Sequence, residues 1–442
     1  MTSPLLDRSP GDVLFRGRDF EVTAAQLLGA AKDLRKQLPP GAAVVNVCQD
    51  RFEFAVSLVA AVSASQPVLL PSNRHPATVQ ALLDATPGAC LIHDDDAMPG
   101  LAAAHRIRAI SRPAGACAIE SVPDIDDDQL CVTAFTSGST GSPKANRKYW
   151  RTLRAGTRIN GMRLFGGLTG DITVVATVPS QHMYGLETTV LAPLFLPLAV
   201  CTERPFYPVD VAAALDAVEA PRVLVTTPIH LKALLAANVG LPRVTRVISA
   251  TAPLPIEHAC EAEARFADEV LEVYGCTETG CLASRRCALG EPWRLLPEFS
   301  LTGKSGVSIA SAPHLHEAVE LNDVLETAAD GCFRIVGRTA DMFNVAGKRG
   351  SLSELTIHLL GIPGVRDGIV FVPSTGRRDV GRVAAMVVTD RPVEAVLEEL
   401  SRVVDQVFLP RPLLSVEKLP RSDVGKLDHQ AVNELWIAKR SS

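Results

Sequence analysis

Continuous apolar runs alternate with amphipathic stretches from Ala43 to Asp268, and this rhythm limits the possible folds more than any other feature of the chain. Ala43–Val47, Val68–Leu70, Cys90–His93, Thr173–Val178, Ala199–Thr202, Val223–Thr226 and Arg246–Ser249 read as buried strands. Between them Arg51–Ala64, Thr78–Ala85, Val209–Val218, Ile229–Ala237 and Ile256–Asp268 read as helices. The first of these carries Phe54, Leu58 and Val62 on its apolar face. A strand that is apolar along its whole length is buried on both faces, as in a parallel sheet covered by helices. The expected fold is therefore α/β with doubly wound sheets, and ligands gather at the carboxyl ends of such strands.

The pattern changes near Gly337. Arg338 to Gly350 is basic and glycine-rich, and Gly368–Val372 and Val383–Val388 follow as strands. A helix is then expected to hold Val393, Leu397, Leu400, Val404 and Val407 on one face. We read this as a compact α+β unit and place the boundary at Thr339–Asp341, giving domains 1–338 and 339–442. A chain of 442 residues exceeds what one core usually supports, in keeping with that division.

The net charge of −5 gives no global pull toward nucleic acid or anionic lipid, and no basic stripe with interleaved aromatics is present. Val190–Val200 is too short to span a bilayer and contains two prolines. Met1 to Pro10 lacks the basic start and apolar core of a signal peptide, so a soluble, cytoplasmic protein is expected. The ten cysteines are scattered, and Cys276, Cys281 and Cys287 lack the two-residue spacing of a zinc site. The Asp94–Asp96 and Asp126–Asp128 runs read as solvated turns.

Four segments carry chemistry. In Thr136-Ser137-Gly138-Ser139-Thr140-Gly141-Ser142-Pro143-Lys144, glycines free backbone N–H groups to face an anion. Hydroxyls add neutral donors and Lys144 adds a charge. That is a polyphosphate cradle, although its spacing differs from the common nucleoside-triphosphatase loop. In Glu272-Val273-Tyr274-Gly275-Cys276-Thr277-Glu278, an aromatic ring beside a glycine suits a flat base, and hydroxyl and carboxylate oxygens suit Mg²⁺. The Ser249–Pro253 loop before it offers backbone to a base edge. The third segment groups Arg338, Asp341, Gly347-Lys348-Arg349 and Glu354, with Asp323 upstream as a carboxylate for ribose hydroxyls. The fourth, Leu419 to Lys426, sets a lysine after a glycine hinge. Each has a plain structural reading when taken alone: a Ser/Gly turn, a strand-end turn, an exposed linker and a surface lysine.

Together, in this order, the segments resemble the adenylate-forming superfamily, which includes acyl-CoA synthetases, luciferases and peptide-synthetase adenylation domains. The resemblance runs from about Leu130 to Lys426. It implies a large amino-terminal region and a small carboxyl-terminal lid that rotates between two half-reactions. By the same resemblance, Thr136, Ser137, Gly138, Ser139, Thr140, Gly141 and Lys144 would hold the pyrophosphate end of ATP. Ala252, Pro253, Glu272 and Tyr274 would surround adenine, Thr277 would touch the α-phosphate and Glu278 would hold Mg²⁺. Asp323 and Arg338 would bind ribose, and Lys426 would stabilise charge during adenylation. Arg349 would meet phosphate in the second conformation, with Ala346 and Gly347 along the pantetheine path. His182, Tyr184, Ala250 and Gly275 would line the acyl pocket, His182 with a catalytic part.

The wording around Pro179–Glu187 is similar to small AMP-ligases of aryl polyene and xanthomonadin-type pigment pathways. That implies a hydroxylated aromatic acid as substrate and an acyl carrier protein, or CoA, as thiol acceptor. The chain departs from the family pattern in places. The stretch from Glu278 to Asp323 is short, implying a trimmed β subdomain; Asp323 follows Leu-Asn; and Ala340 stands where relatives carry a charged hinge residue. The short amino terminus favours a carrier protein, whose phosphopantetheine needs only the tunnel. Competing readings are transfer to a non-thiol acceptor, activation of a fatty acid, and a non-catalytic nucleotide-binding protein.

Overall fold

The computed structural model describes residues 1–94, 101, 105–108, 121–136, 144–237, 239–304, 307–328, 331–338, 342–345, 348–373, 383–421 and 427–440. The fold is α/β, as the alternation predicts. A six-stranded sheet runs in the order Lys144–Tyr149, Leu130–Thr136, Val68–Leu70, Val44–Asn46, Cys90–His93 and His105–Arg108. Only its Lys144–Tyr149 edge strand is antiparallel to its neighbour. A second sheet has eleven strands. Its centre is parallel, from Val270–Cys276 through Arg246–Ser249, Arg222–Thr226, Ile172–Ala176 and Leu198–Cys201 to Val13–Arg16.

The helix Arg51–Ser63 lies between the two sheets. It is capped by the Asp50 carboxylate, which accepts from the N–H groups of Phe52 and Glu53 at 2.9 and 3.1 Å. Its sequence suggests one apolar face, yet every residue from Arg51 to Val62 is buried. A helix packed on all sides needs no polar face, and this one is apolar almost all round. Its two buried charges therefore need an account. Arg51 donates to the carbonyls of Ala176 and Val178 at 2.7 and 2.9 Å, and also to those of Cys201 and Glu203. Glu53 is 2% exposed and neither carboxyl oxygen has a hydrogen-bond partner among the described residues. Burial, with Asp50 and Asp94 adding repulsion, pushes its pKa up to about 8.

From Gly280 onward the pairings are antiparallel, except that Ala384–Thr389 and Leu413–Ser415 run parallel. Gly280–Arg286, Trp293–Leu295, Cys332–Arg338 and Asp323–Thr327 extend the second sheet. Ser300–Lys304, Val307–Ser311 and Val319–Leu321 form a sheet of their own, a compact version of the expected β subdomain. The carboxyl-terminal stretch builds a separate sheet from Val365–Phe371, Ala384–Thr389 and Leu413–Ser415, covered by Leu352–Leu360, Val393–Leu400 and His429–Arg440. The expected boundary, Thr339–Asp341, lies outside the described residues.

Two expectations need correction. The helix starting at Val393 ends at Leu400, before Val404 and Val407. The Ser401 hydroxyl bonds back to Glu398 O, and the Asp405 carboxylate accepts from Val407 N to open a 3₁₀ turn, so local side-chain bonds interrupt the helical period. Val404 still reaches the core through that turn. Asp94 is not a solvated turn residue: its Oδ2 accepts from the N–H groups of Gln49 and Asp50, both at 2.7 Å. Asp126 is exposed as expected, while Asp127 accepts from Ser3 Oγ at 2.6 Å.

A proton held by Glu53 in the folded chain up to about pH 8 is released from an ordinary glutamate near 4.5. The folded state binds more protons between these values, so its stability falls as pH rises through that window. Glu53→Gln should flatten the decline, and melting temperatures of both proteins from pH 5 to 9 test this. Parallel curves would remove Glu53 as the source.

Candidate functional site

Two hairpins from different sheets meet at the tip of the second. In the first, Leu130–Thr136 pairs with Lys144–Tyr149 so that Thr136 faces Lys144 across the ladder. Asn146 pins the base of this hairpin, its amide donating to Ala134 O and Lys144 O at 3.3 Å and to Thr136 Oγ1 at 3.4 Å. The intervening Ser137, Gly138, Ser139, Thr140 and Gly141 lie outside the described residues. In the second, Val270–Cys276 pairs with Gly280–Arg286, leaving Thr277, Glu278 and Thr279 at the tip. Gly275 is required here because a Cβ would stand 2.1 Å from Gly280 O.

The hairpins join through charge. Lys144 Nζ donates to Glu278 Oε1 at 2.8 Å, although 134 residues separate them. The bond raises the Lys144 pKa. For Glu278, burial acts to raise the pKa, but the Lys144 bond and local donors outweigh it and the net shift is downward. Beneath this pair Lys148, only 2% exposed, donates from Nζ to Glu278 O at 2.5 Å. The tip is thus held by its backbone as well as by its carboxylate.

Other predicted residues fall around this tip. Tyr274 Oη donates to Asp323 Oδ2 at 2.7 Å, and its ring packs against Trp293 and Phe333. Asp323 pairs across the sheet with Arg338, of which the strand position alone is described. Glu272 is 2% exposed, accepting from Leu254 N at 2.8 Å and from Arg285 Nε at 2.7 Å. Its carboxylate therefore braces the loop carrying the exposed Ala252 and Pro253. Burial raises its pKa against the pull of Arg285.

His182 is half-buried at the start of a short helical segment that passes into a π-helix at Leu186–Leu191. The preceding Pro179–Gln181 faces Gln49, Arg74 and Arg204 across a narrow cleft. Tyr184 Oη donates to Ile248 O at 2.9 Å, which ties it to the strand end before Ala250, and its ring packs against the main core. Arg349 sits opposite Asn344 in the Met342–Ser351 hairpin, with its strand position alone described. Ala346, Gly347, Asp341 and Lys426 lie outside the described residues.

Sequence reasoning passed over Lys148, Asn160, Glu187 and His314, all at least nine-tenths buried next to these residues. A signal for one of them was present: Lys144, Asn146 and Lys148 alternate along a strand, and so share one face. No group of three or more His, Cys, Asp or Glu suited to a metal occurs among the described residues. Among them, too, no helix is long and apolar enough to cross a membrane.

A sequence model of the AMP-binding enzyme family matches residues 20–312. The 4-coumarate–CoA ligase of Rhodobacter capsulatus is 32% identical over 232 residues, which cover 52% of this chain and 57% of that protein. The chain thus spans a little over half the length of that relative. A 3,4-dihydroxybenzoate–[aryl-carrier protein] ligase of Bacillus anthracis is 22% identical over 321 residues, 69% of this chain and 73% of that protein. Among solved structures, the o-succinylbenzoate–CoA synthetase of Bacillus subtilis in complex with its acyl-adenylate intermediate superposes with a TM-score of 0.82. Its identity is 18%, with 97% of each chain covered, so it speaks to the fold alone.

The Glu272–Arg285 pair offers a test of how the Ala252–Pro253 loop is held. Arg285→Met strands a buried carboxylate and should cost about 3 kcal/mol in urea unfolding. Adding Glu272→Leu should recover much of that loss. Additive losses in the double variant would mean the two residues act separately.

Proposed function

The chain belongs to the AMP-binding enzyme family, and on that premise we propose that it activates a hydroxylated aromatic acid with ATP and passes the acyl group to a phosphopantetheine thiol. The thiol would be carried by an acyl carrier protein or by CoA. The observation that carries this reading is the Lys144–Glu278 contact, which brings the end of the anion-binding loop to the carboxylate that follows Tyr274. The dihydroxybenzoate and coumarate ligases among the relatives support an aryl substrate.

A carboxylate resists nucleophiles because it is already negative and resonance-stabilised. Its attack on the α-phosphorus of ATP forms a carboxyl–phosphate bond and releases pyrophosphate, which turns the acid oxygen into part of a good leaving group, AMP. Negative charge accumulates around phosphorus and the departing pyrophosphate, so cationic groups and donors must already point there. Thr136, Lys144 and the loop between them would take the pyrophosphate, and Thr277 the α-phosphate. The rigid hairpin tip, fixed by Lys148 and Lys144, would hold these groups in register. Positioning of this kind is worth roughly 7–11 kcal/mol.

Mg²⁺ fits the donor set. Glu278 keeps one carboxyl oxygen beyond its bond to Lys144, Thr277 adds a hydroxyl, and this ion usually takes one or two carboxylates plus substrate phosphates rather than an all-protein cage. When bound, it would neutralise phosphate charge. Tyr274 and Asp323, already joined by a hydrogen bond, would place adenine and ribose side by side, with Arg338 on the neighbouring strand. Glu272 would act on adenine through the Ala252–Pro253 loop it braces.

Residues 339–442 are proposed as the mobile lid. Lys426 would serve the first half-reaction, and Arg349, Ala346 and Gly347 the second. In that second step the thiolate attacks the mixed anhydride, forms the thioester and expels AMP, so charge at phosphate no longer needs Lys426.

Acid-dependent exchange of labelled pyrophosphate into ATP tests the first half-reaction. Strong exchange with hydroxybenzoates or hydroxycinnamates is expected. Exchange confined to fatty or amino acids would discard the aryl substrate, and none with any acid would discard adenylation. Lys426→Ala should lower exchange by at least a hundredfold while sparing thioester formation from supplied acyl-AMP. Equal loss in both assays would contradict the rotating lid.

A further inference from the structure

Behind the hairpin tip lies a group of buried polar side chains that none of the roles above employs. Glu187, Asn160 and His314 are 6%, 4% and 3% exposed. Both ring nitrogens of His314, and both polar atoms of the Asn160 amide, lack a hydrogen bond of good geometry among the described residues. Burial pushes the Glu187 pKa up to about 7, while the Lys148 charge, Cys281 N and the nearby Asn160 amide act against the rise. One Glu187 oxygen, Oε2, accepts from Cys281 N at 3.1 Å. The single hydrogen bond of Lys148 among the described residues goes to Glu278 O, leaving two of its three N–H donors.

Two glycines make these groups face one another. A Cβ on Gly280 would stand 2.2 Å from Glu187 Oε1. A Cβ on Gly156 would lie 3.8 Å from His314 Nε2 and 3.9 Å from Glu187 Oε1. The same chain of contacts leads to the acyl side of the site, since Gly275 touches Gly280. Glu187 is also carried by the π-helix Leu186–Leu191, a widened turn that often marks a functional position. Buried polar atoms without partners cost about 1–3 kcal/mol each, so several converging on one point are unfavourable unless something polar meets them.

The geometry points to Glu187, Asn160, His314 and Lys148 as the recognition site for a hydroxyl group borne by the acid at the end remote from its carboxylate. This rests on the adenylation reading and names the feature of the substrate that the pocket selects. The charges favour a neutral group. Lys148 and Glu187 lie close enough for each to offset the other's charge, and His314 is held neutral by burial and by the Lys148 charge, with its pKa pushed down to about 4. A second carboxylate or a sulfonate would face Glu187 directly. A hydroxyl donates to Glu187 or to an imidazole nitrogen and accepts from the Lys148 ammonium or the Asn160 amide. With one donor and two lone pairs, a single small hydroxyl can meet three of these four side chains at once. Sites built in this way reject the analogue lacking the hydroxyl, because their own polar atoms are then left bare.

The test is pyrophosphate exchange with matched acids: 3- and 4-hydroxybenzoate against benzoate, 4-hydroxycinnamate against cinnamate, and 6-hydroxyhexanoate against hexanoate. The unmodified protein should prefer a hydroxylated member by at least tenfold in kcat/KM. Glu187→Leu and Asn160→Leu should each reduce that preference at least tenfold, and Glu187→Gln, which keeps hydrogen-bonding capacity, should retain part of it. An equal fall for both members of each pair would make the cluster structural and overturn the proposal, as would a parent protein without preference. Should Glu187→Leu not fold, His314→Phe carries the same comparison, and an unchanged ratio there overturns it. Exchange restricted to aliphatic acids would discard the aryl reading alone, with the hydroxyhexanoate pair then deciding the recognition site.

Discussion

A single buried guanidinium anchors the helix between the two sheets to strand ends of the second. Arg51 begins the helix that fills the space between them and donates to carbonyls at the ends of Ile172–Ala176 and Leu198–Cys201. Burial lowers its pKa to about 10, which still leaves it charged at neutral pH. A charge taken out of water needs its donors satisfied, and strand-end carbonyls are the acceptors available when a helix packs between two sheets. Because the bonds converge from two neighbouring strand ends, a small shift of the helix over that sheet would break several together.

The Thr136–Lys144 hairpin belongs to the first sheet and the Tyr274–Glu278 hairpin to the second. Their contact at Lys144–Glu278 bridges the two sheets. The pair itself is partly exposed, with Lys144 64% and Glu278 27% accessible at the side chain. Such pairs contribute little to stability, about 0–1 kcal/mol. In the proposed function its importance is positional, since it would mark the place where a polyphosphate and a hard cation are received. Lys148 underneath, bonded to the Glu278 backbone, supplies the stiffness that the surface pair lacks.

The buried polar cluster around Glu187 is a different kind of feature. A core assembled for stability alone would fill this space with apolar groups, since a partly satisfied polar network is worse than none. Here Gly156 and Gly280 leave room, and the π-helix turns a carboxylate inward beside a lysine and a neutral histidine. Local stability is given up at one point in exchange for selectivity there, a pattern expected of binding sites.

The sequence by itself determined the fold class, because continuous apolar runs and period-3.6 apolar patterns are local and each strand or helix states its own burial. It also pointed to Thr136, Lys144, Tyr274, Glu278 and Asp323, since motifs confined to one loop carry their chemistry in adjacent residues. It overran the helix after Leu400, where Ser401 and Asp405 bond to their own backbone. It also missed that Asp94 caps backbone N–H groups of a neighbouring loop. Only the tertiary structure decided that Glu272 braces a loop through Leu254 and Arg285, and that Lys148, Asn160, Glu187 and His314 share one buried point. Those four stand on a strand, the helix that follows it, a π-helix and a distant loop. Their meeting depends on how two sheets and the helices around them pack, and packing between distant elements leaves no periodic trace in any one of them.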